Sequence, residues 1–371
     1  MRMKKLLILA SIALLAMACN KTYQVVPDGA EGTPIGFSTW TEQLTKAEAR
    51  VQGSNTFLAG DTFAVYGYKE TTSPAAKVTV FDGVTVTAAS STSWDYEKHR
   101  YWDTNYDAYT FFAVSPSASA GTVNAQTGEI TSAATTFHGN DNDILVADKK
   151  TVLKTATPEP FGDGTVKFGV VPIVFNHVAS MVDFKVKKAP TLGDATVSVS
   201  DFKLLQIENA GVMTVSGAYT DTHPVVTWSN TGTGTYLPAH GVSSVTLPVT
   251  VVEDTAFDPA TPATPAASAF LINSLIAKPQ TFGASGQTAS QQLSITYSIT
   301  DDGGSVVEHT STLYLADFDT VDNDVQTDTK VGGWEPGKHY TFYITLDANV
   351  IMFSASITDW TTVSGYHYLI N

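Results

Sequence analysis

The chain has 371 residues, 43% of them hydrophobic, which is enough for two or three domains with sizeable cores. Its net charge is −15, and an acidic surface repels phosphate backbones, so nucleic acid is not expected as a partner. Cys19 is the single cysteine, which rules out an intrachain disulfide and a cysteine-based zinc site.

The N-terminus explains that cysteine. Met1-Arg2-Met3-Lys4-Lys5 is basic, Leu6 to Ala18 is apolar, and small Ala16 and Ala18 lie just before Cys19. The pattern is that of a lipoprotein signal, with cleavage before Cys19 and lipid on its sulfur; a plain secretory signal is the alternative. Leu6 to Ala18 is too short to span a bilayer, and no later run is long and apolar enough. The mature chain is expected to be exported and lipid-tethered rather than membrane-spanning.

Asn20 to Thr33 reads as a polar tether, and Ile35 to Trp40 as a short strand. Glu42 to Asn55 has little apolar periodicity and reads as an exposed loop or a marginal helix. Beyond Cys19 the only arginines are Arg50, in that stretch, and Arg100, among strand-like aromatics. Arg50 is thus either an accessible cut site for an arginine-specific protease or a plain solvated arginine.

Thr62 to Lys69 alternates as a strand does, and aromatic strands follow around Trp94, Tyr101-Trp102 and Tyr109 to Pro116. Further strands are expected at Ile144 to Ala147, Phe168 to Phe175 and Val178 to Lys187. Lys187-Lys188-Ala189-Pro190 is the best domain boundary. Strands then recur at Val197 to Ile207, Val212 to Tyr219, Val245 to Val252, Phe270 to Ile276 and Leu293 to Ile299. Asp301-Asp302-Gly303-Gly304 is a hairpin turn answered by Val306 to Leu315. Pro336-Gly337, within Trp334 to Lys338, has the chemistry of a type II turn. Tyr340, Phe342, Ile344 and Leu346 then alternate on one face of a strand, and Val350 to Ile357 makes another. Tyr366, Tyr368 and Ile370 share a face of a last strand, which either closes its own sheet or pairs with an open edge elsewhere. Many short strands without a long amphipathic helix indicate an all-β chain of β-sandwiches.

Catalytic and metal signatures are missing. There is no His-Glu-x-x-His, P-loop or nucleophile-elbow serine, and the histidines are scattered. His177 reads as a core or turn histidine. Asp317, Asp319, Asp322, Asp324 and Asp328 superficially suggest calcium, but Val321 interrupts the ligand spacing, so a solvated acidic loop is expected. Neither an enzyme, nor a cofactor, nor a metal site is expected.

Several stretches together resemble the fimbrillin family, the lipoprotein-derived subunits of type V pili. They are Phe63-Ala-Val-Tyr66-Gly-Tyr68, Trp94…Tyr101-Trp102…Phe111-Phe112-Ala113…Pro116, Asp143-Ile-Leu-Val-Ala147, Phe175-Asn-His177, Leu275-Ile-Ala-Lys-Pro279-Gln280, Trp334-Glu-Pro-Gly-Lys-His-Tyr340 and Asp359-Trp360. Asp103 stands where members often carry proline after tryptophan.

The resemblance implies two tandem transthyretin-like β-sandwich domains after a signal peptide and a short propeptide. Carried onto this chain, residues 1–18 are the signal, 19–50 the lipidated propeptide with the first strand, and 51–187 and 188–371 the two domains. It implies that the lipidated precursor reaches the outer membrane, that a surface protease cuts between Arg50 and Val51, and that the strand within Ile35–Trp40 leaves. C-terminal residues of another pilus subunit would fill the groove, with Val363, Tyr366, Tyr368 and Ile370 on the donor strand, or the Val350–Ile357 hairpin strand in its place. The fimbriae so built would support adhesion. The alternative is a non-polymerising outer-membrane lipoprotein, or a tip adhesin, that binds a glycan or host ligand.

Overall fold

The computed structural model describes residues 34–41, 57–90, 93–137, 143–155, 161, 169–217, 219, 223–241, 245–251, 270–322, 325–348 and 351–359, with the side chains at 40, 41, 321, 322, 325–328, 352–354, 358 and 359 excepted. Among these residues the strands are β1 (Gly36–Thr41), β2 (Thr62–Thr72), β3 (Ala75–Ser90), β4 (Ser93–Asp95), β5 (Ala108–Ser115), β6 (Thr122–Val123), β7 (Ile130–Thr131) and β8 (Thr135–Thr136). Next come β9 (Leu145–Ala147), β10 (Lys150–Leu153), β11 (Val170–His177), β12 (Ser180–Lys188), β13 (Thr196–Val215), β14 (Val226–Tyr236), β15 (Val249–Val251) and β16 (Phe270–Ala277). The remainder are β17 (Gln280–Thr281), β18 (Gln292–Thr300), β19 (Val306–Tyr314), β20 (Asp319–Asp322), β21 (Val325–Lys330), β22 (Gly333–Trp334), β23 (Lys338–Leu346) and β24 (Met352–Asp359). The described residues are all-β, with only short 3-10 turns between strands.

Three large sheets result. The first has the order β1-β11-β9-β5-β2-β3-β4, with β10 also on β5. The second is β16-β12-β23-β24-β20-β21, and the third is β19-β18-β13-β7-β6, with β8, β14 and β15 also on β13. β17 and β22 form a separate two-stranded ladder.

The apolar pattern decides how deeply each strand sits. β18 alternates, burying Leu293, Ile295, Tyr297 and Ile299 while its other face stays partly open. β5 is buried at every position, because the first sheet is covered on both faces. Tyr109, Phe111 and Ala113 enter one core and Phe112 and Val114 another. β2 divides its side chains the same way, Phe63 and Val65 against Ala64, Tyr66 and Tyr68. Gly67 interrupts that alternation at a register shift against β3, where a Cβ would lie 2.4 Å from the Thr110 carbonyl oxygen. Only glycine allows so close an approach.

The first core is enclosed by one sheet curling until its end strands, β1 and β4, meet. A second small core joins the outer face of β2 and β5 to β7, β13 and β14, with Met213 and Val215 in it. The largest core fills the space between the second and third sheets, where Phe184 stacks on Phe342 at 4.7 Å and also meets Phe202.

Several elements differ from the sequence reading. Val197 to Ile207 and Val212 to Tyr219 are not two strands: β13 runs unbroken from Thr196 to Val215, bent by bulges near Gln206, whose φ is +60°. Val245 to Val252 shortens to β15. β23 buries both faces rather than one: Thr341, Tyr343 and Thr345 are covered as well as Tyr340, Phe342, Ile344 and Leu346, and β12 and β24 pair with its two edges. The acidic run is a hairpin, β20–β21, in which Lys330 Nζ lies 2.6 Å from Asp319. Near the expected boundary, β12 ends at Lys188 and a 3-10 turn follows at Pro190–Leu192. β12 itself lies in the second sheet, and β6 to β8 join the third through β13.

Candidate functional site

The groove that holds β1 is the best-defined site in the first sheet. β1 is the sheet's end strand and runs parallel to β11, from Gly36 opposite Val170 to Thr41 opposite Phe175. In sequence, residues 42–56 link β1 to Phe57, which is buried against Trp94 at 5.1 Å and Phe175 at 5.4 Å shortly before β2.

Two of the described side chains of this segment reach the core. Ile35 is fully buried and Phe37 is 6% exposed. The Phe37 ring meets Phe81 at 5.5 Å and Phe63 and Phe111 at 5.9 Å, all edge-on, and Tyr96 at 5.8 Å. Ring edges carry positive charge and faces negative, so these T-shaped contacts each add about 0.5–1.5 kcal/mol to the burial itself.

The N-terminal end of the segment is tied by hydrogen bonds. The Ile35 N–H donates to the Arg100 carbonyl at 2.8 Å, and the Tyr96 hydroxyl donates to the Ile35 carbonyl at 2.7 Å. The Arg100 N–H in turn donates to the Tyr96 hydroxyl at 3.1 Å, and the Gly36 N–H to the Gly169 carbonyl at 2.9 Å. Burial pushes the Tyr96 phenol up to about 12. Arg100 is not held in a strand: its Nε donates to the Val80 carbonyl at 3.3 Å, and its guanidinium also bonds the Lys98 carbonyl. This junction between residues 35 and 96–100 escaped sequence reasoning, since no local pattern reports a contact made 61 residues apart.

The turn at Trp334 to Lys338 is built as expected. Gly337 has φ +68°, and the Lys338 N–H donates to the Glu335 carbonyl at 3.4 Å. The Gly337 N–H donates to the Ala179 carbonyl at 2.8 Å and the Ser180 hydroxyl to the Glu335 carbonyl at 2.8 Å, which docks the turn between β11 and β12. The Glu335 N–H donates to the hydroxyl of Tyr340, whose pKa burial pushes up to about 12. A cavity of about 460 Å³ lies beside the turn, lined by Asn176, His177, His223, Pro224, Glu335 and Lys338 among others. His177 is a buried histidine at the end of β11, 3.0 Å from Asp143. Among the described residues no group of three or more His, Cys, Asp or Glu is placed to hold a metal ion.

Cys19, Arg50, Val51, Val363, Tyr366, Tyr368 and Ile370 all lie outside the described residues. β24, the other candidate donor, is described. It is antiparallel to β23 from Lys338–Asp359 to Thr345–Met352 and parallel to β20 at Asp319–Ser354 and Thr320–Ala355, so both its edges are paired within its own sheet.

A fimbrillin-like family model matches residues 45–360. A search of curated proteins finds no match. Solved structures similar to the chain include a Bacteroides ovatus protein described as a candidate cell-adhesion protein, 16% identical with a TM-score of 0.45, covering 90% of this chain and 99% of that one. A fimbrial protein from Bacteroides vulgatus is 16% identical with a TM-score of 0.44, covering 88% of this chain and 99% of that one. The tip fimbrial protein Mfa3 from Porphyromonas gingivalis, with a C-terminal truncation, is 12% identical with a TM-score of 0.37, covering 87% and 100%.

Proposed function

This chain belongs to the fimbrillin-like family, and from that premise we propose that it is a non-enzymatic structural subunit of cell-surface fimbriae, assembled by strand exchange at the groove of β1. The family places the protein at the cell surface in a fimbrial or adhesive role; the assembly route is our reading. In it, lipid on Cys19 holds the precursor at the outer membrane, and an arginine-specific surface protease cuts between Arg50 and Val51. Residues 19–50, with β1, leave the rest of the chain. The last strand of a neighbouring subunit then enters the groove through Val363, Tyr366, Tyr368 and Ile370. We place the division between the two β-sandwich domains between β11 and β12, since β11 belongs to the first sheet and β12 to the second.

The seating of β1 carries this reading. It is an end strand whose apolar face fills an aromatic groove, and it is joined to the rest of the first sheet through one segment, residues 42–56, which holds Arg50. Losing it uncovers Phe63, Phe81, Tyr96 and Phe111, and each large apolar side chain brought back out of water recovers about 1.5–3 kcal/mol. That favours refilling the groove with another strand, and backbone ladder bonds fix its register. A head-to-tail contact of this kind does not close on itself, so it propagates a filament. The two paired edges of β24 favour the residues after it as the donor.

The test is Arg50→Ala in cells that display the protein. The variant is expected to reach the surface full-length and to give monomer rather than a ladder on a gel of unboiled surface extract. A normal ladder made of chains that still carry residues 34–41 would contradict the reading.

A further inference from the structure

The two ends of β1 are held differently. From Phe37 to Thr41 its backbone pairs with β11 alone among the described residues. At Ile35 both backbone groups are bonded to the turn that follows β4, the N–H to the Arg100 carbonyl and the carbonyl to the Tyr96 hydroxyl. Pro34 extends the junction with a bridge to Tyr101, and the Gly36 N–H bonds the Gly169 carbonyl. Tyr96 and Ile35 are both buried, so these bonds are made where water does not compete for them.

The turn is fixed independently of β1. Asp95 Oδ1 accepts the Tyr96 N–H at 2.9 Å and lies 2.9 Å from His99 Nε2. Lys98 has φ +56°, and the Arg100 side chain bonds the Val80 carbonyl of β3. The ring of Tyr96 also packs on Phe81 at 5.7 Å. The hydroxyl and the Arg100 carbonyl are therefore held in place by β3 and β4.

We propose that residues Tyr96–Arg100 form a clasp that retains β1 in its groove after the chain has been cut between residues 42 and 56. A cut there frees the Thr41 end of β1, and the strand peels from that end toward Ile35, where the clasp is the last contact to open. Cutting and release are then separate events. The aromatic groove stays covered until an incoming strand competes for it, so a cut subunit does not expose Phe63, Phe81 and Phe111 to the wrong partners. The clasp rests on the strand-exchange reading above, and it adds that Tyr96 sets the release rate.

The test uses full-length precursor made soluble by Cys19→Ser and cut with an arginine-specific protease. Size-exclusion chromatography then follows how fast the N-terminal fragment leaves the nicked protein. Tyr96→Phe keeps the ring and removes one buried hydroxyl, and is expected to speed release roughly tenfold. Phe37→Ala is expected to speed release by weakening the groove contact itself, which shows that the assay reads β1. Unchanged release for Tyr96→Phe alongside faster release for Phe37→Ala would overturn the clasp and leave strand departure standing. A fragment that stays bound in every variant, even with excess competing C-terminal peptide, would overturn the strand-exchange reading and the clasp with it. Hydrogen exchange on nicked wild-type protein gives a second measure that needs no variant. The clasp requires the Ile35 amide to be the last in the segment to exchange, and exchange of Ile35 before Thr41 would contradict it.

Discussion

Phe37 anchors β1, because four rings close around it and nothing else in the described part of the strand reaches so far into the core. Phe37→Ala in uncut precursor should cost about 3–5 kcal/mol of stability, the range for emptying an aromatic site in a rigid core. Chemical denaturation measures it, and a loss below about 1 kcal/mol would mean that the groove collapses readily around the missing ring. Tyr96 and Tyr340 give a second prediction. Burial raises both phenols from the ordinary 10 to about 12 in the folded chain. Folding therefore favours the neutral form, so this contribution is whole below pH 10 and is lost as pH climbs from 10 through 12. Tyrosinate absorbance should rise together with the loss of tertiary structure in that window, and ionisation of all tyrosines near pH 10 without unfolding would refute it. The sequence marked Phe37 as one position in a short strand. It could not mark Tyr96, whose role depends on two distant segments meeting.

At the scale of elements, β24 and the residues after it can be told apart. Ala355 of β24 is fully buried in the largest core, so Ala355→Asp should unfold the precursor by placing a carboxylate in apolar surroundings. Deleting Tyr366–Asn371 should instead leave a precursor that folds and is displayed, yet accumulates as monomer in unboiled extracts. A deletion variant that still forms ladders would move the donor role elsewhere. Strands whose pattern is local were legible: β18 alternates, β5 is a run rich in aromatic and apolar residues, and Pro336-Gly337 announces its turn. β13 was not, because Glu208-Asn-Ala-Gly211 carries residues that signal a turn, yet the strand runs on through them, accommodating the stretch as bulges. The pairing of β7 and β8 with β13, and of β6 with β7, was hidden because two-residue strands carry no period.

For the whole molecule, fold class and family were readable because many weak motifs occur in one order across the chain, and the family match spans residues 45–360. The curled first sheet was not readable, because its closure depends on β1 meeting the turn after β4. The central claim is that the chain found in fimbriae has lost residues 34–41. The most direct measurement is the N-terminal residue of this protein in fimbriae sheared from the cell surface. The account predicts Val51, with no peptide from Pro34 to Thr41 in the filament and that peptide recovered in the membrane fraction. Filaments whose subunits begin at Cys19, or that retain Gly36–Thr41 in the same chain, would contradict it.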